Sequence, residues 1–290
     1  MEEVSNIANQ TTEKMKQTAF SLIGLSLLIV AALVSCKKSE DSESTVLNRQ
    51  SKLESFAEEA FDEVSEISDQ AYFASLPGLK GGDNDPSRLG PCSTITLDTT
   101  VMPRVLTIDF GTENCLCNDG KYRRGMIIVT FNGRWRRPGT VVTHTFLNYY
   151  VNDNHVQGSK VMTNQGFVNG KMTFSYVNNG SVTFAQNGES LTWQSEKTKV
   201  WIEGFGTPRW RDDVFLISGF SNVSHSNGRT VERLIIEPLR RELSCRYFVS
   251  GKVRITPSNA RQRILDFGDG TCDNQATITI GDQVIVITLP

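Results

Sequence analysis

The sequence predicts a mainly β protein: an antiparallel meander curled into a sandwich or partial barrel, with one N-terminal amphipathic helix. Three observations carry this. From Cys92 onward, apolar residues recur at every second position, the period of a strand with one buried face. Asn-Gly pairs punctuate those runs at Asn132-Gly133, Asn169-Gly170, Asn179-Gly180, Asn187-Gly188 and Asn227-Gly228, with Gly281-Asp282 as a further turn signal. Both central residues of a type I′ hairpin turn need positive φ, which Asn and Gly tolerate. Between residues 47 and 74 the apolar period is instead three to four, the mark of a helix with one buried stripe.

Taken in order, residues 1–35 read as a lipoprotein signal peptide. Lys16, an apolar run from Phe20 to Val34, then Ser35-Cys36 give the layout in which the signal is cut before an acylated cysteine. The run is shorter than the roughly 20 residues of a membrane span. Residues 1–14 carry Glu2, Glu3 and Glu13, the wrong sign for a signal start, so Met15 is the expected first residue. Cys36 is then the lipidated residue and the membrane contact. Residues 36–46 are polar and rich in Ser and acids, a flexible tether with too little apolar surface to fold.

Residues 47–74 form the predicted helix. Leu53, Phe56, Ala57, Ala60, Phe61, Val64, Ile67 and Ala71 make one stripe, which the following β region should cover. Glu54, Glu58, Glu59, Asp62, Glu63, Glu66 and Asp69 lie mostly off it and read as a solvated face. Leu76-Pro77-Gly78 ends the helix, and residues 75–91 are a loop. The β-rich domain occupies residues 92–290. Its expected strands include Gly125 to Phe131, Val141 to Val151, Lys171 to Val177, Leu191 to Ile202, Val214 to Val223, Val231 to Glu237, Cys245 to Ile255 and Ala276 to Ile280.

A cassette stands at each end of that domain. Asp109-Phe110-Gly111-Thr112-Glu113-Asn114-Cys115 recurs as Asp266-Phe267-Gly268-Asp269-Gly270-Thr271-Cys272, each copy following a strand-like run and an upstream cysteine. In an oxidising envelope, cysteines that bracket a hairpin pair, so Cys92–Cys115 and Cys245–Cys272 are the expected disulfides. Each would contribute about 3 kcal/mol in the chain-entropy model. Cys117 is left over, with a Cys115/Cys117 exchange open in the first copy. The Asp-Phe-Gly triplet lacks every companion motif of a protein kinase, and Asp266, Asp269 and Asp273 do not have the spacing of a calcium loop. A tight turn held by aspartate side chains is the simpler reading.

Charge is near balance, at -2 overall, yet it is divided along the chain. Lys37 to Asp85 holds 12 acids against 5 bases, and Pro86 to Pro290 holds 17 against 23, nets of -7 and +6. Opposite signs on adjacent segments mean either that one docks on the other or that each faces solvent independently. The excess of +6 is too mild for nucleic acid. His144, His155 and His225 are the only histidines, and no pair has metal-ligand spacing, so neither metal nor cofactor is expected. Nucleophile elbow, phosphate loop and dinucleotide fingerprint are all absent from the sequence. No catalytic residue is assigned.

The surface candidates are aromatic and basic. Tyr122-Arg123-Arg124 and Arg134-Trp135-Arg136-Arg137 flank one expected strand, with Trp135 and Arg136 as ligand candidates; a solvated rim pairing with the acidic helix is the competing reading. Trp193, Trp201 and Trp210 could supply a sugar platform, and Trp193 and Trp201, eight residues apart in one strand, share a face. Core packing is the default for both. The lipobox, acidic helix, β meander and Gly270-Thr271-Cys272-Asp273-Asn274 ending resemble an envelope lipoprotein family of the Bacteroidetes, which has no activity to carry over. The resemblance implies the outer membrane and the cell surface. The expectation is a non-enzymatic surface binding or structural module, its partner a polysaccharide or an envelope protein. A periplasm-facing carrier of an apolar ligand and a glycan hydrolase are the alternatives.

Overall fold

A computed structural model describes residues 49, 52–76, 89–135, 137–207 and 209–289. The chain divides into two compact units, Met1–Ser55 and Phe56–Pro290. In the first, the described residues are 49 and 52–55, all helical. In the second, helix α1 (residues 52–74 in full) precedes fourteen strands. These are β1 (Thr94–Asp98), β2 (Arg104–Asp109), β3 (Cys115–Leu116), β4 (Tyr122–Phe131), β5 (Val141–Val151), β6 (Asn154–Val168), β7 (Lys171–Thr183), β8 (Ser190–Glu203), β9 (Val214–His225), β10 (Thr230–Glu242), β11 (Phe248–Pro257), β12 (Arg263–Asp269), β13 (Gln275–Ile280) and β14 (Gln283–Thr288).

The strands build one antiparallel sheet in chain order, and β3 joins β2 along the same edge of β4. Among the described residues β1 and β14 each have a single strand neighbour, so the sheet does not close into a barrel. The helical stripe supplies the other half of the core. Ala57, Phe61, Val64, Ile67 and Ala71 are fully buried, as are sheet residues Ile127, Val129, Tyr149 and Val182, and Phe56 meets the Phe184 ring at 5.7 Å. Phe61 meets the Phe146 ring edge-on at 5.6 Å and lies over β7 at Gly180. A Cβ on Gly180 would stand 2.1 Å from the Phe61 ring and 2.5 Å from the Gln157 carbonyl oxygen, so only glycine fits under the helix.

That contact corrects one turn assignment. Asn179-Gly180 lies inside β7, paired with Ser159 and Gly158 of β6, and is not a turn. Asn169-Gly170 is a two-residue connection with φ of 50° and 73°, as a type I′ turn requires. The other three Asn-Gly pairs lie in longer connections. Between β5 and β6 the same two-residue geometry is supplied by Asn152-Asp153, at φ 48° and 65°, with no glycine. The longest strand, β6, went unassigned because its alternation is broken by Lys160, Asn164, Gly158 and a bulge between Asn164 and Gly166.

The two cassettes fold alike locally. Asp109 accepts the Gly111 N–H at 2.8 Å and Asp266 accepts the Gly268 N–H at 3.0 Å, with φ of 82° and 98° at the two glycines. Each cassette closes the second strand of a hairpin, β1–β2 or β11–β12. Cys92 and Cys115 lie 5.9 Å apart at Cα, and Cys245 and Cys272 5.8 Å apart, each pair at disulfide distance. Cys117 is a buried free thiol.

Candidate functional site

The acidic side of α1 faces a basic stripe on the sheet, not solvent alone. Lys197 (β8) and Arg233 (β10) both bond Glu58, at 2.7 and 3.1 Å. Lys160 (β6) is buried, donates to the Phe61 carbonyl at 2.8 Å and lies 3.7 Å from Asp62. Lys121 donates to Glu59 and Glu63, and Arg123 (β4) donates to Glu63 at 3.0 Å and to both oxygens of Asp119. Burial opposes charge on Arg123, but Asp119 and Glu63 outweigh it and hold the guanidinium protonated. Burial likewise opposes charge on Lys197, and Asp62 and Glu58 raise it. Lys160 is less compensated: burial lowers its ammonium to about 8 despite Asp62. His144 (β5) is pushed down to about 4 by burial and then by Lys160, whose carbonyl bonds its Nδ1.

These charges fasten the helix, and they leave α1 with an aromatic end. Tyr72, Phe73 and Leu76 there form one wall of a groove of about 560 Å³, with Leu97, Thr99, Arg104, Phe131, Arg134, Trp135 and Arg137 completing it. The volume suits a small ligand or one or two sugar rings. The Trp135 indole stacks on Tyr72 at 4.6 Å and 10° between planes, and meets Phe131 edge-on at 5.0 Å. Its Nε1–H donates to Asp69 at 2.7 Å, so the ring is fixed by three neighbours. The loop after β4 is also held: Thr140 donates to the Arg134 carbonyl and the Arg137 N–H bonds the same oxygen. Gly133 permits this, since a Cβ would stand 2.5 Å from the Thr140 hydroxyl.

Three arginines therefore line one groove whose wall residues include no carboxylate. Arg134 and Arg137 are exposed. Arg104 donates to the Gly133 carbonyl at 3.0 Å, while its buried Nε has no acceptor among the described residues. Such a surface attracts anions, and guanidinium groups bind carboxylates with two parallel bonds.

The sequence candidates fall in different places. Trp135 is in the groove, mostly buried, and serves as its wall. Arg136 and Cys36 lie outside the described residues. Trp193 is a core residue, 1 % exposed, with its N–H on Ser195. Trp201 shares its face, as β8 runs without a bulge between them, and packs on Phe205 and Phe215 at 5.1 and 5.2 Å. The Trp210 side chain is not described. Of the Tyr122 cluster, Arg123 is internal, and Arg124 bonds Asp153 and covers the Tyr150 ring. Tyr72, Phe73, Arg104 and Phe131 were missed as site residues. The available signal was the adjacent pair Tyr72-Phe73 at the C-terminal end of a stripe whose last members, Val64, Ile67 and Ala71, are small or aliphatic.

Among the described residues no group of three or more His, Cys, Asp or Glu could hold a metal ion, and no helix is long and apolar enough to cross a membrane. Fold and groove together define a helix-backed, open β meander with a cationic aromatic cleft. No protein-family model, no curated protein and no solved structure matches the chain.

Proposed function

We propose that this chain is a lipid-anchored outer-membrane binding module, not an enzyme, that captures an acidic glycan in the Tyr72–Trp135 groove. The observation that carries the reading is the joining of Arg104, Arg134 and Arg137 to an aromatic wall in one cleft without a lining carboxylate. Sugar rings stack on aromatic and aliphatic faces, and uronate carboxylates pair with guanidinium groups. A hydrolase would instead need two carboxylates facing the substrate. A carrier would need an empty apolar concavity beneath the helix, where Phe61, Val64 and Ile67 are fully buried. The signal layout ending at Cys36 supports the anchor.

The test is calorimetric titration of the protein with polygalacturonate and with neutral dextran. Binding of the acidic polymer only, weakened at least tenfold in Arg134→Gln/Arg137→Gln and by added salt, supports the reading. Equal binding of dextran, or an unaffected double variant, overturns it. Labelled palmitate should enter the wild type and not Cys36→Ala. Protease shaving of intact cells should remove the domain; protection until the outer membrane is opened would turn it inward.

A further inference from the structure

β14 is the last strand of the sheet, and its inner edge is fully used. Six pairs join it to β13, from Gln275↔Thr288 to Ile280↔Gln283. Along its outer edge, no strand pairs with it among the described residues. Natural edge strands are guarded by charge, proline, a bulge or a covering element. Gln283-Val284-Ile285-Val286-Ile287-Thr288 has no charge and no proline, and its register is free of shifts. Both of its faces are apolar and open: Val284 and Val286 are 65 % and 66 % exposed on one, Ile285 47 % on the other. The opposite edge differs, since β1 alternates Thr94 and Thr96 with Ile95 and Leu97 and ends at Asp98.

We propose that β14 pairs antiparallel with β14 of a second copy of this chain, joining two sheets across a two-fold axis. The strand is self-complementary about its centre. With the axis at Val286, Val286 opposes itself, Ile285 opposes Ile287 and Val284 opposes Thr288, so β-branched residues face each other at every pair from Val284 to Thr288. An axis at Ile285 gives Val284 opposite Val286 and is equally free of charge conflict. Such isologous pairing closes in one step because it consumes the β14 edge of both copies. Pairing of β14 with β1 of another copy would leave an edge at each end and grow into fibres. The contact is one strand wide, below the size of a stable interface, so the dimer is weak and concentration-dependent.

Cysteine cross-linking of the full chain tests this. In a Cys36→Ser background, Val286→Cys or Ile285→Cys places paired thiols beside the axis, while Thr192→Cys, exposed on β8, is the control; among the described residues the native free thiol, Cys117, is buried. At least one edge variant should form disulfide-linked dimer tenfold faster than the control. In sedimentation velocity the wild-type dimer fraction should rise with concentration, and Val286→Lys should be monomeric with an unchanged melting temperature. Monomer at every concentration, cross-linking no faster than the control, or association that Val286→Lys leaves intact would each overturn the proposal.

Discussion

His144 is a buried base whose surroundings resist its protonation. With its ionisation lowered from 6.5 to about 4, the folded protein binds fewer protons than the unfolded chain between those values. Stability therefore falls as pH drops from 6.5 towards 4, by up to about 3 kcal/mol at the lower end. Urea midpoints measured across that range should show the decline, and His144→Gln, which keeps a donor for the Lys160 carbonyl, should flatten it. Gly180→Ala tests a second single-residue constraint. Its Cβ meets both the Phe61 ring and the Gln157 backbone, so the helix or the β6–β7 pairing must shift, at a cost of about 2–3 kcal/mol in chemical denaturation. Neither residue was legible as a constraint in the sequence, because burial and close approach depend on which strand lies beneath the helix. Trp193 shows the same limit. Its strand and face were readable from alternation, yet alternation does not say which face of a meander the helix covers.

At the scale of elements, β1, β3 and β14 were not assigned from the sequence, while α1 and most of the other strands were legible because each carries one dominant period. β6 was not: its function in the sheet is to hold Lys160 and to pass Gly158 close to β7, and both break the alternation that identifies a strand. Four Asn-Gly pairs pointed correctly to connections of an antiparallel meander, while the fifth, Asn179-Gly180, lies inside β7, where the helix above it and not turn geometry requires the glycine. The helix–sheet contact itself was half legible, as opposite charges on successive segments. Its energy is concentrated in few pairs. Glu63 is 3 % exposed and accepts from Lys121 and Arg123, whereas Glu59 is 61 % exposed at the side chain. Glu63→Gln should cost about 3 kcal/mol, since it leaves part of the buried Arg123 charge uncompensated. Glu59→Gln should cost less than about 1 kcal/mol. Paired thermal melts of the two variants check the contrast.

For the whole molecule, the cassettes link architecture to the groove. Each disulfide brackets a hairpin, yet the two hairpins lie at different distances from the arginines. β1 carries Leu97 and leads into Thr99, both in the groove wall, and β2 begins with Arg104. The Cys92–Cys115 link ties the start of that hairpin to β3, whereas Cys245–Cys272 ties β11–β12, which contributes no residue to the groove. The cysteine spacing made both bridges readable, but not their unequal relation to the groove, which depends on Tyr72 and Arg104 meeting across a helix end and a strand start. Replacing either pair with serine should lower stability by about 3 kcal/mol through the unfolded chain. Only Cys92→Ser/Cys115→Ser should also loosen the wall, raising the dissociation constant for polygalacturonate several-fold at temperatures where the protein remains folded. Cys245→Ser/Cys272→Ser should bind as the wild type does below its own melting transition. Equal loss of binding in both would mean that the bridges act on stability alone and that the β1–β2 hairpin does not shape the groove.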